Sequence, residues 1–282
     1  MAWEIFLIIS VSTEVFGRLL QRLLLKNNTS DPIAYLVVIN IVAGILVGTF
    51  SILQGFSFNN VHLIWQNLLV MPLLWGVCNL FTYKSLKSTE ASVFVILFST
   101  RAIWQILGAV FFLNEVFTFQ QVIGTLLILG SVVMVSMQNA KFSFKKGEFY
   151  ALLAALFFAA AMINDAFVVR VFDVDSYLTF GFLLPAILIW ALHPQKTPEI
   201  KKIAKSKNLW KIVMLSSLFA ASALTALIAY TIGDNAAQLG ALFQISTILT
   251  VFAAIFLLNE RKSLMLKIIA GAISCAGVIL II

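Results

Sequence analysis

Four ionisable side chains stand inside otherwise apolar stretches: Glu14, Arg18, Arg101 and Asp165. A charge in hydrocarbon costs roughly 2.5–3.5 kcal/mol on insertion scales, so such residues are expected to face a polar interior and to act there. Ser10, Glu14, Arg18 and Arg22 recur every four residues and share one helix face. Glu14 and Arg18 can pair. The pair either locks helix packing or lines a cavity, and a carboxyl that opens during a cycle can also hold a coupling proton. Arg22 is close enough to the end of its stretch to snorkel. Arg101 has no acidic partner nearby in sequence, and Thr100, Arg101, Trp104, Gln105 and Gly108 fall on one side of a helix. A guanidinium offers five fixed donors suited to carboxylate or phosphate. Arg101 is therefore expected either to meet an anionic or zwitterionic solute or to pair with Glu14 or Asp165. Trp75, Asn79 and Tyr83 share another face, behind Pro72, whose ring bends a helix and frees a carbonyl. Gln244 and Thr247 give a weaker polar face. The expected solute-binding set is Glu14, Arg18, Trp75, Asn79, Arg101, Trp104, Asn164, Asp165 and Gln244. Tyr83 and Tyr230, at stretch ends, read as interface anchors.

The elements that position these residues must be membrane helices. Of 282 residues, 61% are hydrophobic and 11% charged, and mean hydropathy is +1.02. A soluble domain carries about 25% charged residues. A bilayer core about 30 Å thick needs roughly 20 apolar residues of helix, whereas a barrel shows alternating segments of about 10. The apolar runs here are nearly continuous. They predict spans at about 3–25, 33–53, 63–83, 91–112, 119–137, 148–169, 177–193, 210–230, 236–257 and 264–282. Sixteen Lys and Arg residues fall on the side of the loops after the odd-numbered spans, and only Arg170 falls on the other. The positive-inside bias makes the first side cytoplasmic and puts both termini outside, in a multi-pass protein of the plasma or inner membrane. The same count makes the sequons in Asn27-Asn28-Thr29-Ser30 cytoplasmic and so fortuitous. The segment 194–209, with Ile200, Ile203 and Leu209 among lysines, is either a basic loop or an amphipathic helix on anionic lipid.

The two halves of the chain repeat one another. Phe111-Phe112-Leu113-Asn114-Glu115 resembles Phe256-Leu257-Leu258-Asn259-Glu260, 145 residues on. Gly124 and Gly130 correspond to Gly271 and Gly277, and Trp3-Glu4-Ile5-Phe6 to Gly147-Glu148-Phe149-Tyr150. The expected fold is all-α, with ten transmembrane helices as two inverted five-helix repeats, 1–138 and 147–282, joined by a basic linker at 139–146. Five spans is an odd number, so the second half enters the membrane from the opposite side. Many secondary transporters are built this way. In this order and spacing, with Gln121-Val122-Ile123-Gly124 following the fourth span, the chain resembles the EamA-type ten-helix members of the drug/metabolite transporter superfamily. The resemblance implies carriage of metabolites, amino acids or drug-like compounds, often outward, through a central cavity. It departs from the family where a mid-helix proline of the fourth span is replaced, near Arg101.

Other chemistries find little support. His62 and His193 lie at span ends, no H-E-x-x-H occurs, and G-x-S-x-G, P-loop and dinucleotide fingerprints are missing from the sequence. No enzyme activity, cofactor or metal is expected. Cys78 and Cys275 sit in apolar runs as small packing residues. The net charge of +7 lies between spans, where it reports orientation, not nucleic-acid binding. The expected partners are a small-molecule solute, the lipid bilayer and protons as coupling ion. Two fused halves need no second chain to enclose a cavity, so a monomer suffices. A lipid-linked-sugar flippase or nucleotide-sugar carrier of the same architecture is the alternative, ahead of a channel, whose filter or charged ring is not visible.

Overall fold

The computed structural model describes residues 2–25, 31–113, 118–136, 145–233, 243, 245–257 and 264–281. Among them every regular element is a helix. They are α1 (Ala2–Leu25), α2 (Pro32–Gln54), α3 (Val61–Ser88), α4 (Ala91–Phe98), α5 (Arg101–Leu113), α6 (Phe119–Ser136), α7 (Lys146–Val168), α8 (Val174–Leu192), a 3-10 turn (Pro194–Lys196), α9 (Thr197–Ala204), α10 (Leu209–Gly233), α11 (Ile245–Leu257) and α12 (Leu264–Ile281). The motifs at Asn27–Ser30, Asn114-Glu115 and Asn259-Glu260, most of the 139–146 linker and Gln244 lie outside the described residues.

Among the described residues six stretches are long and apolar enough to cross a membrane: α2, α3, α7, α8, α10 and Ala91–Gly108. Helix α1 is long enough, but Glu4, Glu14, Arg18 and Arg22 put three charges into any long window of it. The exterior is apolar, with Ile8, Leu53, Leu69, Leu126 and Phe256 all strongly exposed. Helix ends are fixed locally. Asp31 Oδ1 accepts the Ile33 and Ala34 N–H groups at 2.9 and 3.0 Å, with Pro32 at the first helical position and Gly55 at φ +104° closing the far end of α2. Asp173 caps α8 through the Ser176 N–H at 3.1 Å.

The fourth predicted span is broken. α4 ends at Phe98 and α5 begins at Arg101, although no proline is present. The turn between them tightens, with Thr100 N–H donating to Leu97 O at 3.2 Å. Hydroxyls take up neighbouring carbonyls: Ser99 Oγ donates to Ile96 O at 2.6 Å and Thr100 Oγ1 to Leu97 O at 2.9 Å. Side chains that re-satisfy the backbone are what permit such a break in an apolar surround.

Packing pairs join the early helices to the late ones. The closest partnerships are α1 with α10, α2 with α8, α3 with α7 and α6 with α12. Close approach demands small residues. A Cβ on Gly277 would stand 2.6 Å from the Gly124 carbonyl oxygen, and one on Gly44 would stand 2.6 Å from the Leu183 side chain. The buried apolar residues then fall into two layers. One holds Val15, Leu19, Leu36, Ile39, Leu86, Ala151, Ala155 and Leu215. The other holds Leu7, Val11, Ala43, Met71, Ala166, Val168, Ala220 and Leu227. Each of α1, α2, α3, α7 and α10 crosses from one layer to the other near its middle.

The basic segment after α8 is helical, but its apolar face does not turn to lipid. Ile200 and Ile203 of α9 are buried in the first layer, and α9 packs on α2. Lys196 Nζ lies 2.7 Å from Asp31 Oδ2 and ties this helix down. Burial pushes the Asp31 carboxyl up, but Lys196 and the Ala34 and Ile33 N–H groups outweigh it and hold the carboxyl below its usual range. A carboxyl held low in the folded state stabilises docking above the unfolded value, about 3.9, and loses that contribution as pH falls through the lower folded value. Asp31→Asn should therefore speed amide exchange in α9 at neutral pH, and the difference from the parent should vanish in acid. Equal α9 protection in both proteins at neutral pH would contradict this.

Candidate functional site

A cavity of about 160 Å³ opens between the two apolar layers. It has space for about five waters at their liquid volume. Helices from both ends of the chain line it: Glu14 and Arg18 of α1, Asn40 of α2, Trp75, Asn79 and Tyr83 of α3, Arg101 and Gln105 of α5, Phe158 and Asp165 of α7, Tyr177 of α8, and Phe219 and Tyr230 of α10. Pro185 in α8 cannot donate to the carbonyl four residues back, which belongs to Gly181 in the cavity wall.

The charged residues form two groups. In the first, Glu14 Oε1 lies 3.5 Å from Arg18 Nη2 and 3.5 Å from Arg101 Nη1. One carboxylate oxygen thus bridges two guanidiniums on different helices. Arg101 is only 3% exposed and lies over two rings, Phe98 and Phe158, each 4.7 Å away. Arg18 has Phe94, Phe98 and Phe219 around it at 5.4–5.6 Å and donates from Nη1 to Gln21 Oε1 at 3.2 Å. Desolvated guanidinium–aromatic contacts of this kind contribute on the order of 1–2 kcal/mol each.

In the second group Asp165, 2% exposed, accepts only from neutral donors among its hydrogen-bond partners. Tyr177 Oη donates to Oδ1 at 2.5 Å, and Trp75 Nε1 lies 3.2 and 3.1 Å from Oδ1 and Oδ2. Asn164 stands behind it, accepting from Asn67 Nδ2 at 2.8 Å. The groups are bridged by aromatics: the Trp75 ring meets Phe158 edge-on at 5.4 Å, and Phe158 lies under Arg101.

The sequence-predicted residues sort accordingly. Glu14, Arg18, Trp75, Asn79, Arg101 and Asp165 line one cavity, with Asn164 bonded to its edge. Trp104 does not join them. It is 41% exposed and outside the cavity wall, because it stands about 100° around α5 from Gln105, on the far side of Arg101. Gln244 lies outside the described residues. Tyr83 and Tyr230 are not interface anchors: both are buried and line the cavity. Tyr177 and Gln21 escaped the sequence reading, since neither is charged and each stands near a helix end. Arg22 does not snorkel. It is 8% exposed, and its Nη1 donates to the Leu86 and Lys87 carbonyls at 2.5 and 3.2 Å, where α3 ends. Lys267, counted from sequence among the cytoplasmic charges, is fully buried and bonds Glu90 at the start of α4.

Described residues whose regular elements are all helices, several of them apolar and of bilayer length, with an apolar exterior and a buried cavity lined by charged and aromatic side chains, have the build of a multi-pass membrane transporter. Residues 1–137, the first of the two halves, match the EamA-like transporter family, of the drug/metabolite transporter superfamily. No curated protein matches it. The fold is also that of a solved protein crystal structure, with a TM-score of 0.72 over 99% of this chain and 96% of the other, at 16% identity.

Proposed function

We propose that the protein is a secondary transporter that carries a small metabolite, amino acid or drug-like solute across the plasma or inner membrane by alternating access, as an exporter or exchanger. The observation that carries this reading is the polar cavity between two apolar layers, lined by helices of both halves. Glu14, Arg18, Trp75, Asn79, Arg101 and Asp165 are assigned to the cargo site, with Asn164 positioning Asp165 and protons as the coupling ion.

Ten spans in two inverted repeats, 1–138 and 147–282, supply the machinery. The helix pairing supports this. Let α1 correspond to α7, α2 to α8, α3 to α10, α4 and α5 to α11, and α6 to α12. The α1–α10 partnership then becomes α7–α3, which is the partnership observed. The α2–α8 and α6–α12 pairs map onto themselves, α2–α10 maps onto α8–α3, and α1–α11 onto the α7 contacts with α4 and α5. A two-fold relation of this kind lets one half adopt the conformation of the other, so that the cavity opens first to one side and then to the opposite one. Both termini then face outside, and one chain encloses the whole path.

The test is a solute panel in proteoliposomes with and without a pH gradient. Gradient-linked or exchange flux of at least one class is expected. Silence across metabolites, amino acids and drug-like compounds alike would contradict the proposal.

A further inference from the structure

One corner of the cavity is rich in hydrogen-bond donors. Arg18 Nε is buried with no hydrogen-bond partner among the described residues, and Gln21 Nε2 and Tyr83 Oη are buried with only each other near. Gln21 is 1% exposed and Tyr83 2%. The Gln21 amide is oriented by its neighbour: its Oε1 already accepts from Arg18 Nη1 at 3.2 Å, which leaves the NH₂ as the unused end. The Tyr83 hydroxyl faces both Gln21 and Arg18. All three residues line the cavity. Burying a polar group without a partner costs about 1–3 kcal/mol, more for a charged one, so a corner whose unspent hydrogens are on Arg18, Gln21 and Tyr83 favours an occupant that accepts.

The surrounding charges say which occupant. Arg18 and Arg101 share the single carboxylate of Glu14, which leaves one positive charge uncompensated in this group. The Asp165 carboxylate stands in the second group, held by Tyr177 and Trp75, and makes no ion pair with either arginine among the described residues. Arg101 has an aromatic ring within 4.7 Å on two counts and lies against Glu14, so its role is to hold Glu14 in place. Arg18 keeps an open edge. A cationic group would be repelled by Arg18 in this corner, and a neutral carbonyl would leave that charge unmet.

We propose that Arg18, Gln21 and Tyr83 form an oxyanion subsite that receives the carboxylate or phosphate oxygens of the transported solute. This rests on the transport reading for the word solute, but the subsite itself is a binding claim. The aromatic floor of Phe94, Phe98 and Phe219 beside Arg18 suits a compact, partly apolar body behind the anion, and a cavity of about 160 Å³ has benzene-scale room.

The experiment is isothermal titration of the purified full chain in detergent micelles with benzoate, phenyl phosphate, benzamide and benzylamine. Benzoate or phenyl phosphate should bind at least tenfold more tightly than benzamide or benzylamine. Whichever anion binds more tightly identifies the carboxylate or the phosphate source. Gln21→Leu and Tyr83→Phe should each weaken that anion about tenfold, while leaving benzamide unchanged. Equal affinity for benzoate, phenyl phosphate and benzamide, a preference for benzylamine, no anion binding at all, or anion affinity indifferent to both substitutions would overturn the proposal. If a variant does not fold, the selectivity of the parent protein still decides. Titration needs no gradient, so anion binding without any flux removes the transport reading alone, and flux without anion selectivity removes the subsite alone.

Discussion

Replacing Glu14 with glutamine is expected to destabilise the protein by about 3 kcal/mol, more than either arginine partner does when changed alone. Glu14 Oε1 is the common acceptor for Arg18 and Arg101, and the three side chains are between 4% and 14% exposed. Removing the carboxylate charge leaves two guanidiniums facing one another in a poorly solvated site, where their repulsion is only weakly screened. Arg101→Gln leaves Glu14 with Arg18 as a partner and should cost less. The double variant Glu14→Gln/Arg101→Gln removes one charge of each sign and should recover part of the loss. Denaturant unfolding of the three proteins in micelles measures this directly. A Glu14→Gln protein as stable as its parent, or a double variant less stable than the sum of the singles, would show that the triad does not hold α1 to α5.

The second large effect is expected at Asp165. Its carboxylate gathers Tyr177 Oη from α8 and Trp75 Nε1 from α3 onto α7. Asp165→Ala orphans two buried donors and removes two bonds to a carboxylate, a loss of about 3 kcal/mol or more. Asp165→Asn keeps one acceptor and much of the shape, so it should fall between alanine and the parent. Because α3, α7 and α8 meet here, the same change should slow or abolish transport even where the fold survives. Unfolding midpoints that do not differ between the alanine and asparagine variants would mean that the hydrogen bonds contribute nothing.

How much of this was legible in the sequence depends on which kind of signal each feature carries. Charges in apolar runs announce themselves, because burial without a polar surround is costly whatever the partner. Glu14, Arg18, Arg101 and Asp165 were found that way and do line one cavity. The apolar runs likewise predict helices, and among the described residues six stretches are long and apolar enough to cross a membrane. What linear position could not give was the face each neighbouring helix presents. Tyr83, Tyr177 and Tyr230 stand near helix ends, where tyrosine is ordinarily an interface anchor. Here the pairing of α1 with α10 and α3 with α7 turns Tyr83 and Tyr230 inward. Trp104 stands about 100° around α5 from Gln105 and so turns outward, and the break before α5, made by Ser99 and Thr100, has no proline to mark it. Lys267 and Arg22 looked like surface charges because their partners, Glu90 and the carbonyls ending α3, are distant in sequence. The apolar face of α9 was visible as a face, but the choice between lipid and α2 is made by Asp31 and Lys196, 165 residues apart.

The central claim is that solute passes through the cavity between the two apolar layers. Ala226 of α10 lines that cavity, so a tryptophan there adds an indole to a space of about 160 Å³ while leaving the identities of Glu14, Arg101 and Asp165 unchanged. The decisive measurement is flux, in proteoliposomes, of a solute carried by the parent protein, compared with Ala226→Trp at matched incorporation and with folding verified by unfolding midpoint. The account predicts flux at the level of empty liposomes for the folded variant. Unchanged flux through Ala226→Trp would contradict it.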